Sequence, residues 1–355
     1  MGFRRSLALA ACVLVSTFTR AAPTAQPGAA VRPHLEHVAV WVADLDKTAA
    51  FLNDVLGWRR HPLEFGVRGD SQVFGGMKLA FVDANGFWLE LVEPTTEGPG
   101  MEFLRQKGKG SIVELDFFVD DFDHAVDWLK GKGVEPWGMD GKPMVNGGLL
   151  KEWARTDGKV RDADERILYL PMDVSRGTSI ELGWEYPSGV VYYRDETWTP
   201  ERRTPASTPR MDHVTVASAD FQKTIEVYTK TLELRRVDGV PGLPRDWMGV
   251  TPTGQTWIHG NSHVWVNVVA PAGETGKKIL ADSRFGDGNI MEIAAEVPDI
   301  DAYHDAMKAK GITLTAGDGV ALPAGAKAVT APSGDRFAYF PLDRSEGIDR
   351  KSTRL

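Results

Sequence analysis

HVAVWVADLDKTAAFLNDVLGWRR, residues 37–60, recurs as HVTVASADFQKTIEVYTKTLELRR at residues 213–236, with the same spacing from the histidine to the arginine pair. Each copy opens with alternating apolar residues, the mark of a strand with one buried face. An Asp-containing turn follows, and apolar residues three and four apart then mark a helix. In the first copy Val38, Val40 and Val42 carry the strand. Ala49, Phe51, Leu52, Val55 and Leu56 carry the helix, and Asp44 or Asp46 is placed to cap it. A second pair, GSIVELDFFVDDFDHAVDWLKGKGV at 110–134 and GNIMEIAAEVPDIDAYHDAMKAKGI at 288–312, repeats the pattern without a gap. Shorter strands follow each helix, such as Lys78 to Val82 and Phe87 to Val92, with Gly and Asn turn residues between them. The unit is therefore βαβββ, present in four copies.

The first and third copies pair, as do the second and fourth. RILYLPMDVSRG from Arg166 and RFAYFPLDRSEG from Arg336 extend the correspondence. Between the halves, Tyr186 to Met211 is rich in prolines and charges and reads as an extended linker. The expected organisation is a signal peptide at 1–22, a first two-module domain at 34–187, a linker at 188–210 and a second two-module domain at 211–355.

Composition narrows the function. A chain of 355 residues with 42% hydrophobic and 25% charged side chains buries a sizeable core. A net charge of -8 and no concentrated basic face argue against nucleic acid and for a small-molecule partner. The N-terminus has a basic start at Arg4 and Arg5, an apolar stretch from Leu7 to Val15 and small residues at Ala21 and Ala22, which is a signal-peptide pattern. No stretch approaches the roughly 18 apolar residues of a membrane span. The expectation is an exported chain, periplasmic or secreted, acting as monomer or homodimer. The arginine pair weakly resembles a twin-arginine signal. Leu9 to Cys12 reads LAAC and resembles a lipoprotein cleavage box, yet apolar residues continue past Cys12, so a lipid anchor is the lesser reading. Cys12 is the only cysteine, so cleavage near Ala21 would leave neither disulfide nor thiolate chemistry.

A βαβββ unit paired twice resembles the vicinal oxygen chelate superfamily, which includes glyoxalase I, methylmalonyl-CoA epimerase, fosfomycin-resistance proteins and extradiol dioxygenases. The resemblance covers essentially residues 34 to 355. It implies an α+β fold in which four βαβββ modules pair into two open, cup-shaped mixed sheets, with helices on the convex side and ligand on the concave side. Strand alternation then turns His37, Ala39 and Trp41 inward, with Trp88 and Glu90 on the last strand of the first module. Glu114, Asp116 and Phe118 face inward in the second module, and Glu181 on its last strand. His37, Glu90, Glu114 and Glu181 match the positions where the family carries metal ligands. Three carboxylates converging on an apolar cup repel one another, and a divalent cation removes the conflict. One imidazole with three carboxylates suits one Zn²⁺, Mn²⁺, Fe²⁺ or Ni²⁺, with Ca²⁺ or Mg²⁺ still open. Trp41, Trp88, Asp116 and Phe118 would line the substrate pocket.

The corresponding positions of the second half are His213, Asn267, Glu292 and Lys351. A protonated lysine cannot ligate, so this second candidate site reads as degenerate or suited to a different ligand. Among other histidines, His34 is placed before the first strand and His124 and His304 on solvent-facing helices. His61 is placed near the cup rim, and His259 and His263 flank a turn.

As the resemblance implies, the metal would be a Lewis acid toward substrate oxygens while charge builds as an enolate, alkoxide or peroxide. Glu181 would be the carboxylate that moves the proton, with Glu90 its near-symmetric mate. Three functions stay open: a glyoxalase-like lyase or isomerase acting through a metal-stabilised enolate, an Fe(II) extradiol-type dioxygenase, and a non-catalytic small-molecule-binding protein. The dioxygenases carry two histidines and a glutamate on the C-terminal pair, where this chain has His213, Asn267 and Glu292.

Overall fold

The computed structural model describes residues 31–67, 76–107, 110–150, 152–156, 159–162, 165–184, 202–240, 249–281, 288–317, 320–331 and 334–340. The signal-peptide reading, Cys12 and Lys351 lie outside the described residues.

The first module runs β1 (His34–Val42), α1 (Leu45–Leu56), β2 (Arg59–Arg60), β3 (Glu64–Val67), β4 (Met77–Asp83) and β5 (Trp88–Pro94). A helix α2 (Pro99–Lys107) leads to the second module: β6 (Gly110–Phe118), α3 (Phe122–Gly131), β7 (Leu149–Leu150), β8 (Glu152–Thr156), β9 (Lys159–Asp162), β10 (Glu165–Tyr169), α4 (Met172–Ser175) and β11 (Ser179–Trp184). The second half repeats this as β12 (Arg210–Ser218), α5 (Phe221–Glu226), β13 (Arg235–Val237), β14 (Gln255–His259), β15 (Trp265–Val269), α6 (Gly273–Ala281), β16 (Gly288–Glu296) and α7 (Ile300–Ala309). His34 therefore opens the first strand rather than preceding it. His124 and His304 are half-buried rather than solvent-facing.

One capping device starts each module helix. Asp44, Asp121, Asp220 and Asp299 accept from backbone N–H groups of the first turns of α1, α3, α5 and α7. Helix α1 then buries Leu45, Ala49, Leu52, Val55 and Leu56, and ends at Gly57 with φ +70°. A Cβ on Gly57 would stand 2.9 Å from Thr208 Cγ2, so glycine both ends the helix and admits the returning chain.

The first sheet has 11 strands in the order β7–β10–β11–β6–β1–β5–β4–β3–β8–β9, with β2 paired to β4. Its centre is symmetric: β1 and β6 are antiparallel, β5 runs parallel to β1, and β11 runs parallel to β6. β7 pairs with β10 at one edge while β8, which starts two residues after β7 ends, pairs with β3 at the other. Leu150 and Glu152, two residues apart, therefore belong to strands paired toward opposite ends of the sheet order. In the second half β13–β14–β15–β12–β16 repeats the same centre, with bulges at matching places: Leu35/His37 and Met211/His213, Ala39/Val40 and Thr215/Val216. The position corresponding to β11 in the fourth module lies outside the described residues.

Val38, Val40 and Val42 join α1 in a core that runs on into the second half through Val214, Val216, Tyr228 and Ile293. Helices α2 and α6 instead close one end of each concave face. Phe103 and Leu104 of α2 pack with Trp41, and Ile279 of α6 packs with Ala217.

Part of the expected linker, residues 202–209, is bound to the first half. Thr204 donates its backbone N–H to Asp83 Oδ2 at 3.0 Å, and the buried Trp58 donates Nε1–H to Pro209 O at 2.8 Å. Trp58→Phe keeps most of the apolar contact but orphans that carbonyl. It is expected to lower stability by about 1–3 kcal/mol, read as an earlier urea midpoint at unchanged slope. An unchanged midpoint would show that the bond contributes nothing.

Candidate metal centre

Register, not any single strand, assembles the site. His37 stands opposite Asp116, Asp116 opposite Glu181, and Ala39 opposite both Glu114 and Glu90. Because strand side chains alternate, the acidic residues and His37 share the concave face. Asp116 is 1% exposed, Glu181 7% and His37 6%.

His37 sits between carboxylates on both ring nitrogens. Nδ1 is 3.1 Å from Glu36 Oε2, while Nε2 is 3.1 Å from Asp116 Oδ2 and 3.6 Å from Glu90 Oε2. Protonated, the ring donates to both sides. With the proton only on Nδ1, it presents a lone pair to the cup, the tautomer that a carboxylate partner favours in metal-binding histidines. Burial alone would lower the imidazole pKa, but the Asp116 charge and contacts with Asp116, Glu36 and Glu90 outweigh it and hold the ring well above its ordinary value. Phe81 and Phe118 stand edge-on to the ring at 5.5 and 6.0 Å.

The other side of the cup is wholly oxygen. Glu114 receives hydrogen bonds from Ser179 Oγ at 3.2 Å and Tyr169 OH at 3.5 Å. Burial pushes its pKa up to about 8, with added repulsion from Asp116 and Glu90. Glu165 is pushed to about 8, chiefly by burial. Burial raises Glu181 well above the usual carboxylate range, with Asp116, Glu114 and Glu165 adding repulsion. The phenol of Tyr169 is raised by burial and by the charges of Glu114, Glu181 and Asp116. Asp116 Oδ1 receives no hydrogen bond, and Oδ2 has only the His37 ring beside it. A buried carboxylate left so bare fits a cation, because an ion supplies what missing donors do not.

The four residues matched by position do not meet as one set. Ligand atoms within 4.8 Å of one another form two groups, His37 with Glu90 and Asp116, and Glu114 with Asp116 and Glu181. Asp116, expected as pocket lining, belongs to both. Trp88 packs beside His61 and Phe81, whose ring centroids are 5.7 and 6.3 Å away. Trp41 is held by Phe103 at 5.2 Å, under α2. Sequence reasoning passed over Glu165 and Tyr169. Their signal was alternation: Glu165, Ile167 and Tyr169 share a face of β10.

The second half keeps half of this chemistry. His213 Nδ1 is 2.7 Å from Asp212 Oδ2 and Nε2 is 3.5 Å from Glu292 Oε1, and Asn267 donates Nδ2–H to Thr256 O at 3.2 Å. All three site residues are fully buried. Asn267 holds the register place of Glu90, and Ala294 that of Asp116. Among the described residues, both groups of three potential ligands fall in the first half.

Models of the Glyoxalase/Bleomycin resistance protein/Dioxygenase superfamily match residues 36–148 and 210–338. Mitochondrial methylmalonyl-CoA epimerase of Mus musculus is 30% identical over 122 residues, 31% of this chain and 63% of that protein, so the match spans less than two thirds of the relative's length. A mutant of 4-hydroxymandelate synthase from Streptomyces coelicolor shares the fold with TM-score 0.52 at 16% identity, over 81% of this chain and 77% of that one. The Mn(II)-bound glyoxalase from Novosphingobium aromaticivorans superposes with TM-score 0.47 at 15% identity, over 88% and 79% of the two chains.

Proposed function

Because the chain belongs to the glyoxalase/bleomycin resistance protein/dioxygenase superfamily, we propose that its first half is a metal-dependent lyase or isomerase that moves a proton next to an oxygen of a small molecule. The observation that carries this reading is the convergence of Glu114, Asp116 and Glu181 on one buried face beside His37. A divalent cation held there would supply Lewis-acid charge beside a substrate oxygen.

The protein's own part is proton transfer and positioning. Glu181 takes the proton from carbon next to that oxygen and returns it to a neighbouring atom, or Glu90, on the other side of the central β1 and β6 pair, delivers one to the opposite face. Its buried setting suits the task, since a carboxylate freed from water is a stronger base than one in solution. Tyr169 donates to Glu114 and so orients the neighbouring carboxylate. Phe81, Trp88 and Phe118 exclude water from the same face.

The dioxygenase reading asks for two histidines and a glutamate in the second half, where this chain has His213, Asn267 and Glu292. The deciding assay is isotope wash-in. Chain loaded with Mn²⁺, Co²⁺, Ni²⁺ or Zn²⁺ is incubated in D₂O with a panel of acyl thioesters, 2-oxo acids and 2-hydroxy ketones, and the mass of recovered material is measured. Deuterium entering at one carbon of one class, lost in Glu181→Gln, is the expected result. Oxygen consumption with Fe²⁺ and no wash-in would make it an oxygenase; saturable binding with neither would make it a binding protein.

A further inference from the structure

Resting on the reading of the first cup as a metal centre, we propose that it holds two divalent cations bridged by Asp116. His37 and Glu90 complete one site, and Glu114 and Glu181 the other.

Asp116 stands in both groups of mutually close ligand atoms, and no single group contains all four of His37, Glu90, Glu114 and Glu181. Its carboxylate lies in the row between His37 and Glu181 on neighbouring strands. Its Oδ1 receives no hydrogen bond and its Oδ2 faces only His37 Nε2, at 3.1 Å, although the residue is 1% exposed. A carboxylate has lone pairs on each oxygen and can serve one ion on either side. The space between two sets of ligands is where such a group is useful.

Charge points the same way. Glu90, Glu114, Asp116, Glu165 and Glu181 crowd this face, and among the described residues no lysine or arginine forms an ion pair with any of them. With all five ionised and His37 neutral, as ligands to metal must be, one divalent cation would leave three negative charges in an apolar setting, at a heavy desolvation cost. Two leave one, and a single anionic substrate group or bound water completes the balance. The two sites differ in donors: nitrogen and oxygen on the His37 side favour a borderline ion such as Mn²⁺, Fe²⁺ or Zn²⁺, whereas the all-oxygen side favours Mn²⁺ or Mg²⁺.

The second half is an internal contrast. It keeps the histidine and the glutamate at the corresponding registers, but Ala294 replaces the bridge. No group of three ligands forms there among the described residues.

The test loads the chelator-stripped full chain with MnCl₂ alone, removes free ion, and measures manganese by elemental analysis and electron paramagnetic resonance. Near two manganese per chain with an exchange-broadened spectrum is expected, since paired ions of such centres lie about 3.5–4 Å apart. Asp116→Ala and Glu114→Ala should each retain at most one, with the resolved six-line spectrum of an isolated ion, circular dichroism serving to show that each variant is folded. One manganese in the unaltered chain, with a six-line spectrum, overturns the pair and leaves the single-cation enzyme standing. No manganese overturns both.

Discussion

His37→Ala is expected to remove the tightest Mn²⁺ or Zn²⁺ binding step, weakening it at least about 100-fold, the upper range seen when even an outer partner of a ligand is lost. Glu292→Gln in the second half should leave metal binding as it was. The asymmetry follows from what surrounds each histidine. His37 is the sole nitrogen among the potential ligands of the first cup, and Glu36 beyond it orients the ring and makes it more basic. Removing it leaves only hard oxygen donors, which hold borderline ions less well. In the second half a histidine and a glutamate are 3.5 Å apart, but Asn267 offers no charge and Ala294 no ligand. Calorimetric titration of both variants checks this. Equal weakening in the two would mean that the halves share the ion or that the second cup is the true centre.

Much of this architecture was legible because local chemistry and long-range pattern agreed. Val38, Val40 and Val42 alternate, Asp44 caps, and Leu52, Val55 and Leu56 repeat along α1, so strand, turn and helix are each specified within a few residues. Alternation also turned Asp116 inward. What it could not show is the partner across the sheet, because bulges at Leu35/His37 and Ala39/Val40 shift β6 against β1 and bring Asp116 beside His37. Resemblance drew attention to four positions and away from this fifth. Glu165 and Tyr169 escaped for a similar reason: their stretch was read for its likeness to residues 336–347, not for the face it presents. Trp41 shares the concave face with His37, yet α2 covers it, and the Gly-Pro-Gly opening of that helix carries no signal of where it docks. β7 and β8, two residues apart in sequence, pair with strands far apart in the sheet order. Pairing at such separation depends on the finished cup rather than on any nearby residue.

Raising pH is expected to weaken the metal-free protein and strengthen metal binding over the same interval, roughly pH 5 to 8. Glu114 and Glu165 titrate at about 8 in the folded chain, against 4.5 for ordinary glutamates, because burial penalises their charge. Between those values the folded state holds protons that the unfolded state has lost, so stability falls as pH rises, by up to about 1.4 kcal/mol per pH unit for each group. His37 acts with the same sign. Its folded pKa is raised, so its contribution is complete below the unfolded value near 6.5 and is lost as pH rises through the folded one. A cation competes with these same protons. Its apparent association constant should therefore rise about tenfold per pH unit for each proton displaced, giving roughly 100-fold per unit if both glutamates release theirs. Thermal unfolding with chelator and with Mn²⁺, followed from pH 5 to pH 8.5, should show the two melting curves drawing apart as pH rises. Calorimetry in buffers of different ionisation enthalpy should show proton release on binding. Curves that stay parallel, with no protons released, would mean that these carboxylates are already ionised without the metal and that something else balances their charge.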